Sequence, residues 1–239
     1  MMKSASIGKY LPLGGFVAVV LAFMACSPAY SADEKRPPNV LLIMADDLGY
    51  ECLSSNGALS YRTPHLDRLA AEGLRFEQCY AQPLCTPSRA QLMTGLYNKR
   101  NYIRFGILDP KAKTMAQSLQ QRGYATGIAG KWQLEGGFEG PKHFGFDEYC
   151  LWQLTIRKSR YANPLLEING VVKQYEGGEF GPDVVSDYLC EFMERNKEKP
   201  FFAYYPMMLT HSPYIPTPDT PDWDPKDRGE EKTQGDKKY

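Results

Sequence analysis

The sequence predicts an α/β fold with a mostly parallel central sheet flanked by helices. Three features predict it. Continuous apolar runs of strand length occur at residues 39–45, 125–129 and 201–208. Helical segments alternate with them, and glycine or proline punctuates the boundaries. Composition fits a globular chain, with 43% hydrophobic and 23% charged residues among 239. The balance of 28 Lys+Arg against 28 Asp+Glu leaves no polybasic excess, which excludes sequence-independent binding to nucleic acid.

At the N-terminus, Lys3 and Lys9 precede an apolar run from Leu11 to Ala25, then small residues and Asp33-Glu34-Lys35-Arg36. This is the layout of a secretory signal, with Ala29 and Ser31 suited to the −3 and −1 positions of a cleavage site. The run is about fifteen residues, short of the ~20 a transmembrane helix needs, so no stable membrane span is expected. An uncleaved anchor or a core helix is the bland alternative. Lipid anchoring at Cys26 is disfavoured because Phe23-Met24-Ala25 makes a poor lipobox. Residues 1–31 therefore read as a cleaved signal peptide and 32–239 as a secreted or periplasmic protein.

Asn39 to Ala45 reads as a strand buried on both faces. Thr63-Pro64 opens a helix that Gly73 can end, with Leu66, Leu69 and Ala70 as its apolar face. Leu74 to Ala81 reads as a second strand, and Thr86-Pro87 repeats the helix-opening signal. Thr114 to Arg122 is a short helix closed by Gly123, followed by a strand from Ala125 to Ala129 that stops at Gly130-Lys131-Trp132. Gly136-Gly137, Gly140-Pro141 and Gly177-Gly178 mark loops. Asp183 to Arg195 is amphipathic, with Val184, Val185, Tyr188, Leu189, Phe192 and Met193 on one side, and it feeds a buried strand from Phe201 to Met208. Trp132, Trp152, Tyr161 and Trp223 fit either core aromatics, the favoured reading, or sugar-stacking platforms.

Ligands of such sheets bind outside the carboxyl ends of the strands. Asp46-Asp47, Lys131 and His211 fall there. Adjacent carboxylates suit a hard cation but more often start turns. Alone, Lys131 reads as a solvated charge and His211 as a structural histidine. The segment Cys85-Thr86-Pro87-Ser88-Arg89 places a cysteine at a helix N-terminus, where free N–H groups and the dipole favour an anion. Arg89, one turn on, can grip an oxyanion in a bidentate way. Beyond residue 31 there are five cysteines, 52, 79, 85, 150 and 190, with no C-x-x-C pair. Four could form two disulfides, or several could be small buried hydrophobes.

The run CTPSR followed by LMTG resembles the signature of the sulfatase family, C-x-P-x-R and L-x-T-G. NVLLIMADDLGY, TPHLDRLAAEGLRF, GIAGKW and LTHSPY extend the resemblance across most of the chain in the family's order. It implies the alkaline phosphatase-like fold and a sulfuric ester hydrolase of arylsulfatase type. It further implies that Cys85 is oxidised by a separate maturation enzyme to formylglycine, a hydrated aldehyde. One geminal hydroxyl attacks sulfur and expels the alcohol; the other then loses its proton, and sulfate leaves as the aldehyde reforms. By the same resemblance Asp46, Asp47 and the modified Cys85 bind Ca²⁺, with Mg²⁺ the alternative, and Arg89 holds formylglycine. Lys131 binds the sulfate oxygens, and His211 lies near the leaving oxygen. The implied substrate is a sulfate ester, either an aryl sulfate or a sulfated polysaccharide.

Two departures stand out. Position 133 is Gln where the family usually has His, and an amide cannot take a proton at neutral pH. The family's further metal ligands and a second lysine lie downstream of anything matched here, so the chain reads as the N-terminal part of a catalytic domain, incomplete at the C-terminus and inactive alone. Two other functions stay open: a phosphodiester or phosphonate monoester hydrolase of the same superfamily, and an inactive binder of sulfated glycans.

Overall fold

Alternating side chains decide how the chain layers. In the computed structural model, which describes residues 36–155 and 159–226, Phe202 and Tyr204 of one strand join one apolar cluster, while Phe201 and Ala203 join another. The same parity separates Ile128 from Ala129, and Tyr149 and Leu151 from Cys150 and Trp152. Strands of this kind need a layer on each face.

The strands are β1 (Val40–Met44), β2 (Ala125–Lys131), β3 (Glu148–Trp152), β4 (Leu165–Ile168), β5 (Val171–Gln174) and β6 (Phe201–Pro206). The helices are α1 (Pro64–Glu72), α2 (Cys85–Thr94), α3 (Asn98–Asn101), α4 (Met115–Gln120), α5 (Glu139–His143) and α6 (Gly181–Arg195). One sheet runs in the order β1-β6-β2-β3-β4-β5, parallel from β1 to β3 and antiparallel through β4 and β5. The expected fold class is therefore the observed one, a mostly parallel sheet between helices.

Helix α6 covers one face through Val185, Leu189 and Phe192. Its approach is close: a Cβ on Gly127 would lie 2.9 Å from the Phe192 ring, so only glycine fits there. Helices α2 and α4 cover the other face through Ala90, Met93 and Ala116. Thr114 caps α4 in a reciprocal box with Gln117, and both side chains also tie down the Phe144 and His143 carbonyls. Trp132, Trp152 and Tyr161 are core residues, with the Arg160 guanidinium stacked over Trp152, while Trp223 is half-buried.

Several elements depart from expectation. Strand β1 is an edge strand whose Leu41 and Ile43 are about half exposed, because no described layer covers that face. Residues 74–81 form no strand: they lie across a cavity of about 440 Å³ from β1 and ladder with no described strand, leaving Leu74, Phe76 and Tyr80 exposed. Gly140-Pro141 lies inside α5 rather than in a loop, where Pro fits the first turn. The hairpin β4–β5 adds two antiparallel strands beyond the expected set; it turns at Asn169-Gly170, both with positive φ (48° and 91°), a strong two-residue turn signal. All five described cysteines are free thiols, so the two-disulfide reading fails. The signal expected at residues 1–31 lies outside the described residues; among those described, no helix is long and apolar enough to cross a membrane.

Candidate active site

The site forms where β1, β2 and β6 end. Hydrogen bonding between β1 and β6 continues past both strands: Met207 N donates to Met44 O at 2.8 Å, Asp46 N to Leu209 O at 2.8 Å, and Thr210 N to Asp46 O at 2.6 Å. Asp46 and the segment leading to His211 are thereby sewn together. Lys131 is the last residue of β2. The residue before it, Gly130, has φ 129°, and a Cβ there would stand 2.1 Å from the Pro206 carbonyl oxygen. The two strands meet that closely only because position 130 is glycine.

Asp46 is buried between two cations. Its Oδ2 accepts from Lys131 Nζ at 2.6 Å, and its Oδ1 lies 3.5 Å from Arg89 Nη2. Arg89 Nη1 donates to the Lys131 carbonyl at 3.0 Å, and all three side chains are about 2% exposed. Lys131 is thus no surface charge. Burial pushes its ammonium pKa below the ordinary lysine value, the adjacent Asp46 carboxylate partly offsets this, and a charged Cys85 would act in the same sense as Asp46. Two cations facing one carboxylate leave a buried cluster with surplus positive charge. Arg89 Nε and Nη2 have no hydrogen-bond partner among the described residues, so the cluster has donors to spare for an anion.

Cys85 opens α2, two residues earlier than the Thr86-Pro87 signal suggested. The preceding Leu84 is extended and gives no side-chain cap; Ser88 Oγ instead donates to the Leu84 carbonyl at 2.9 Å. Thr86 is spent elsewhere, its hydroxyl accepting from Gly106 N at 3.2 Å. Cys85 is therefore half-buried at the positive end of a ten-residue helix whose next turn carries Arg89.

Asp47 turns outward at φ 58° with a half-exposed side chain. Its Oδ2 lies 3.4 Å from His211 Nε2, while His211 Nδ1 donates to the Ser212 carbonyl at 2.8 Å. Asp46 and Asp47 are oxygen donors of the kind a hard divalent cation takes, but such ions want six or more ligands. Among the described residues no group of three metal-ligating side chains exists, so these two fit a cation in kind and fall short in number. Gln133 is also left-handed, at φ 54°, and its buried Oε1 has no hydrogen-bond partner among the described residues. The structure thus brings Asp46, Arg89 and Lys131 into contact and joins Asp47 to His211. Tyr161, a plain aromatic by sequence, brings its hydroxyl to the His211 segment, a contact that no sequence pattern marks.

A family model described as Sulfatase matches residues 38–239. The chain belongs to the sulfatase family. It is 50% identical to arylsulfatase A of Bos taurus over 125 residues, covering 47% of this chain and 25% of that protein. The solved structure of BT4656 in complex with its substrate D-glucosamine-2-N,6-O-disulfate superposes with TM-score 0.68 at 30% identity, over 77% of this chain and 36% of that one. A phosphonate monoester hydrolase of Agrobacterium radiobacter gives TM-score 0.55 at 26% identity, over 76% of this chain and 43% of that one. The chain thus spans a quarter to less than half the length of these relatives.

Proposed function

We propose that this sulfatase chain is part of a secreted or periplasmic sulfuric ester hydrolase, with residues 1–31 its signal peptide and 32–239 the N-terminal part of its catalytic domain. The observation that carries the reading is the buried Asp46–Lys131–Arg89 cluster, whose surplus positive charge sits beside Cys85 at the start of α2. A sulfate ester brings the anion that such a cluster lacks.

Formylglycine made from Cys85 would supply a hydrated aldehyde as nucleophile and let sulfate leave by regenerating the carbonyl. A divalent cation, Ca²⁺ by family resemblance, would be held in part by Asp46 and Asp47 and would neutralise charge built up on oxygen. The chain's own side chains do the rest. Arg89, with Nε and Nη2 free of hydrogen bonds among the described residues, orients the residue at position 85 and offsets developing negative charge. Lys131 Nζ, held by Asp46, holds the sulfate oxygens. His211, its Nδ1 fixed by the Ser212 carbonyl, presents Nε2 beside Asp47, the ring nitrogen that would serve the leaving oxygen. Gln133 can orient a hydroxyl through Oε1 but cannot remove its proton.

The substrate class is an aryl sulfate or a sulfated sugar, in line with the names carried by arylsulfatase A and the ligand of BT4656. The test is to co-express the full coding sequence with a formylglycine-generating enzyme and read the Cys85 peptide by mass spectrometry. An aldehyde there, with turnover of 4-nitrophenyl sulfate exceeding that of an aryl phosphodiester, is the expected result. A thiol that stays unmodified removes the nucleophile. A preference for the phosphodiester supports the second reading, which the likeness to the phosphonate monoester hydrolase favours. Binding of sulfated glycan without sulfate release would support the inactive reading that Gln133 suggests.

A further inference from the structure

Tyr161 lies between β3 and β4 and is 3% exposed. Its ring stacks on Phe180, with centroids 6.0 Å apart and planes at 27°, and Phe180 meets Trp223 edge-on at 5.5 Å. This aromatic stack holds the phenol in place, and a left-over hydroxyl in such a stack needs a partner. The hydroxyl is directed at the segment that leaves β6. It donates to the Met208 carbonyl at 2.9 Å and also reaches the His211 carbonyl.

Those two carbonyls bracket Leu209 and Thr210, the residues whose main chain pairs with Asp46. Thr210 Oγ1 adds a hydrogen bond to the Asp47 carbonyl at 3.1 Å. One phenolic proton, shared between the two carbonyls, therefore ties both ends of a four-residue segment that grips the Asp46-Asp47 main chain on one side and carries the His211 imidazole on the other. Burial pushes the Tyr161 pKa up to about 12, so the group remains a donor throughout the neutral range.

We infer that Tyr161 is a positioning residue whose hydroxyl clamps residues 208–211, so that His211 and the Asp46-Asp47 pair keep one mutual geometry. Its effect on rate rests on the sulfate-ester reading; its effect on the segment does not. The Tyr161 hydroxyl bonds to main-chain carbonyls of the segment and not to Asp46, Arg89 or Lys131, so it acts through the segment rather than on the reacting atoms.

Tyr161→Phe keeps the ring and removes the clamp. Amide hydrogen exchange on the chain should speed up about tenfold at Thr210 and Asp46 while Ile128 in β2 stays unchanged, because only a local opening is made easier. In the matured full-length protein, kcat for 4-nitrophenyl sulfate should fall about tenfold or more with KM nearly constant, the pattern of a misplaced catalytic group. Tyr205→Phe, which removes another inner-face hydroxyl, directed at the Pro182 carbonyl, should do neither. Exchange that is unchanged, or that accelerates equally at Thr210 and Ile128, overturns the proposal, as does local acceleration with kcat intact. Local acceleration in a matured parent that hydrolyses no sulfate ester leaves the clamp standing and sinks the sulfate reading instead.

Discussion

The charge count of the buried cluster predicts an asymmetry between two substitutions. With Lys131 and Arg89 against Asp46, the cluster carries one net positive charge in the dark of the fold, each side chain about 2% exposed. Asp46→Asn keeps the shape and one acceptor but raises the net charge to two. Removing one partner of a buried pair costs about 3–5 kcal/mol, because the remaining charge loses its compensation. Lys131→Met does the reverse: it leaves Arg89 and Asp46 as a balanced pair 3.5 Å apart and replaces an ammonium by an apolar side chain of similar volume. Its cost should be below about 1.5 kcal/mol, since volume-conserving apolar swaps are cheap and a surplus buried charge is removed. Urea unfolding of the chain in EDTA reads both. At an m-value of about 2 kcal/mol/M, Asp46→Asn should lower the midpoint by roughly 1.5–2.5 M and Lys131→Met by well under 1 M. Equal losses, or a larger loss for Lys131→Met, would refute the reasoning and mean that the 2.6 Å contact itself, not the charge balance, holds the cluster.

Other expectations can be checked in the same way. Gly130→Ala puts a Cβ 2.1 Å from the Pro206 oxygen at a glycine-only φ of 129°, and should cost at least about 3 kcal/mol by urea unfolding; a loss below 1 kcal/mol would deny the close β2–β6 approach. Gln133→His in the matured full-length protein should raise kcat for 4-nitrophenyl sulfate by about 10²-fold at neutral pH with KM little changed, as a general base is restored; no gain would place position 133 outside the proton path. Tyr161 has a folded pKa of about 12 against an ordinary 10.0, so its protonated form stabilises the fold fully below pH 10 and that contribution is lost as pH rises to 12. Stability should therefore fall by up to about 2–3 kcal/mol more across that window in the parent than in Tyr161→Phe, measured by urea midpoints; parallel curves would contradict it.

Sequence pattern reached those parts of the fold that bury symmetrically. The runs that became β2 and β6 are apolar on both faces, and α6 repeats its apolar residues at helical spacing, so periodicity alone places them. It failed where context decides. Residues 40–44 are as apolar as β6, yet they form an edge strand, because only packing determines which strand is covered. Residues 74–81 have strand composition and no strand to pair with. Thr86-Pro87 looked like a cap, but the hydroxyl of Thr86 is claimed by Gly106, and Cys85 takes the first helical position. In the site, motif spacing named Asp46, Arg89 and Lys131 but could not show that they share one buried charge cluster. Tyr161 was invisible as a functional residue because its role is carried by a hydroxyl meeting two main-chain carbonyls, which leaves no pattern in the sequence.

The uncovered edge of β1 has a practical meaning for anyone who prepares this chain by itself. Val40–Met44 is a run of β-forming residues without charge or proline, and among the described residues β6 is its one partner. A raw strand edge beside exposed Leu41 and Ile43 is a template on which further copies can stack. Loss of soluble material on concentration would then originate at this edge rather than at the buried charges. A lysine at position 43 should act as a gatekeeper there, keeping the protein in solution while Asp46, three residues further on, remains in its place.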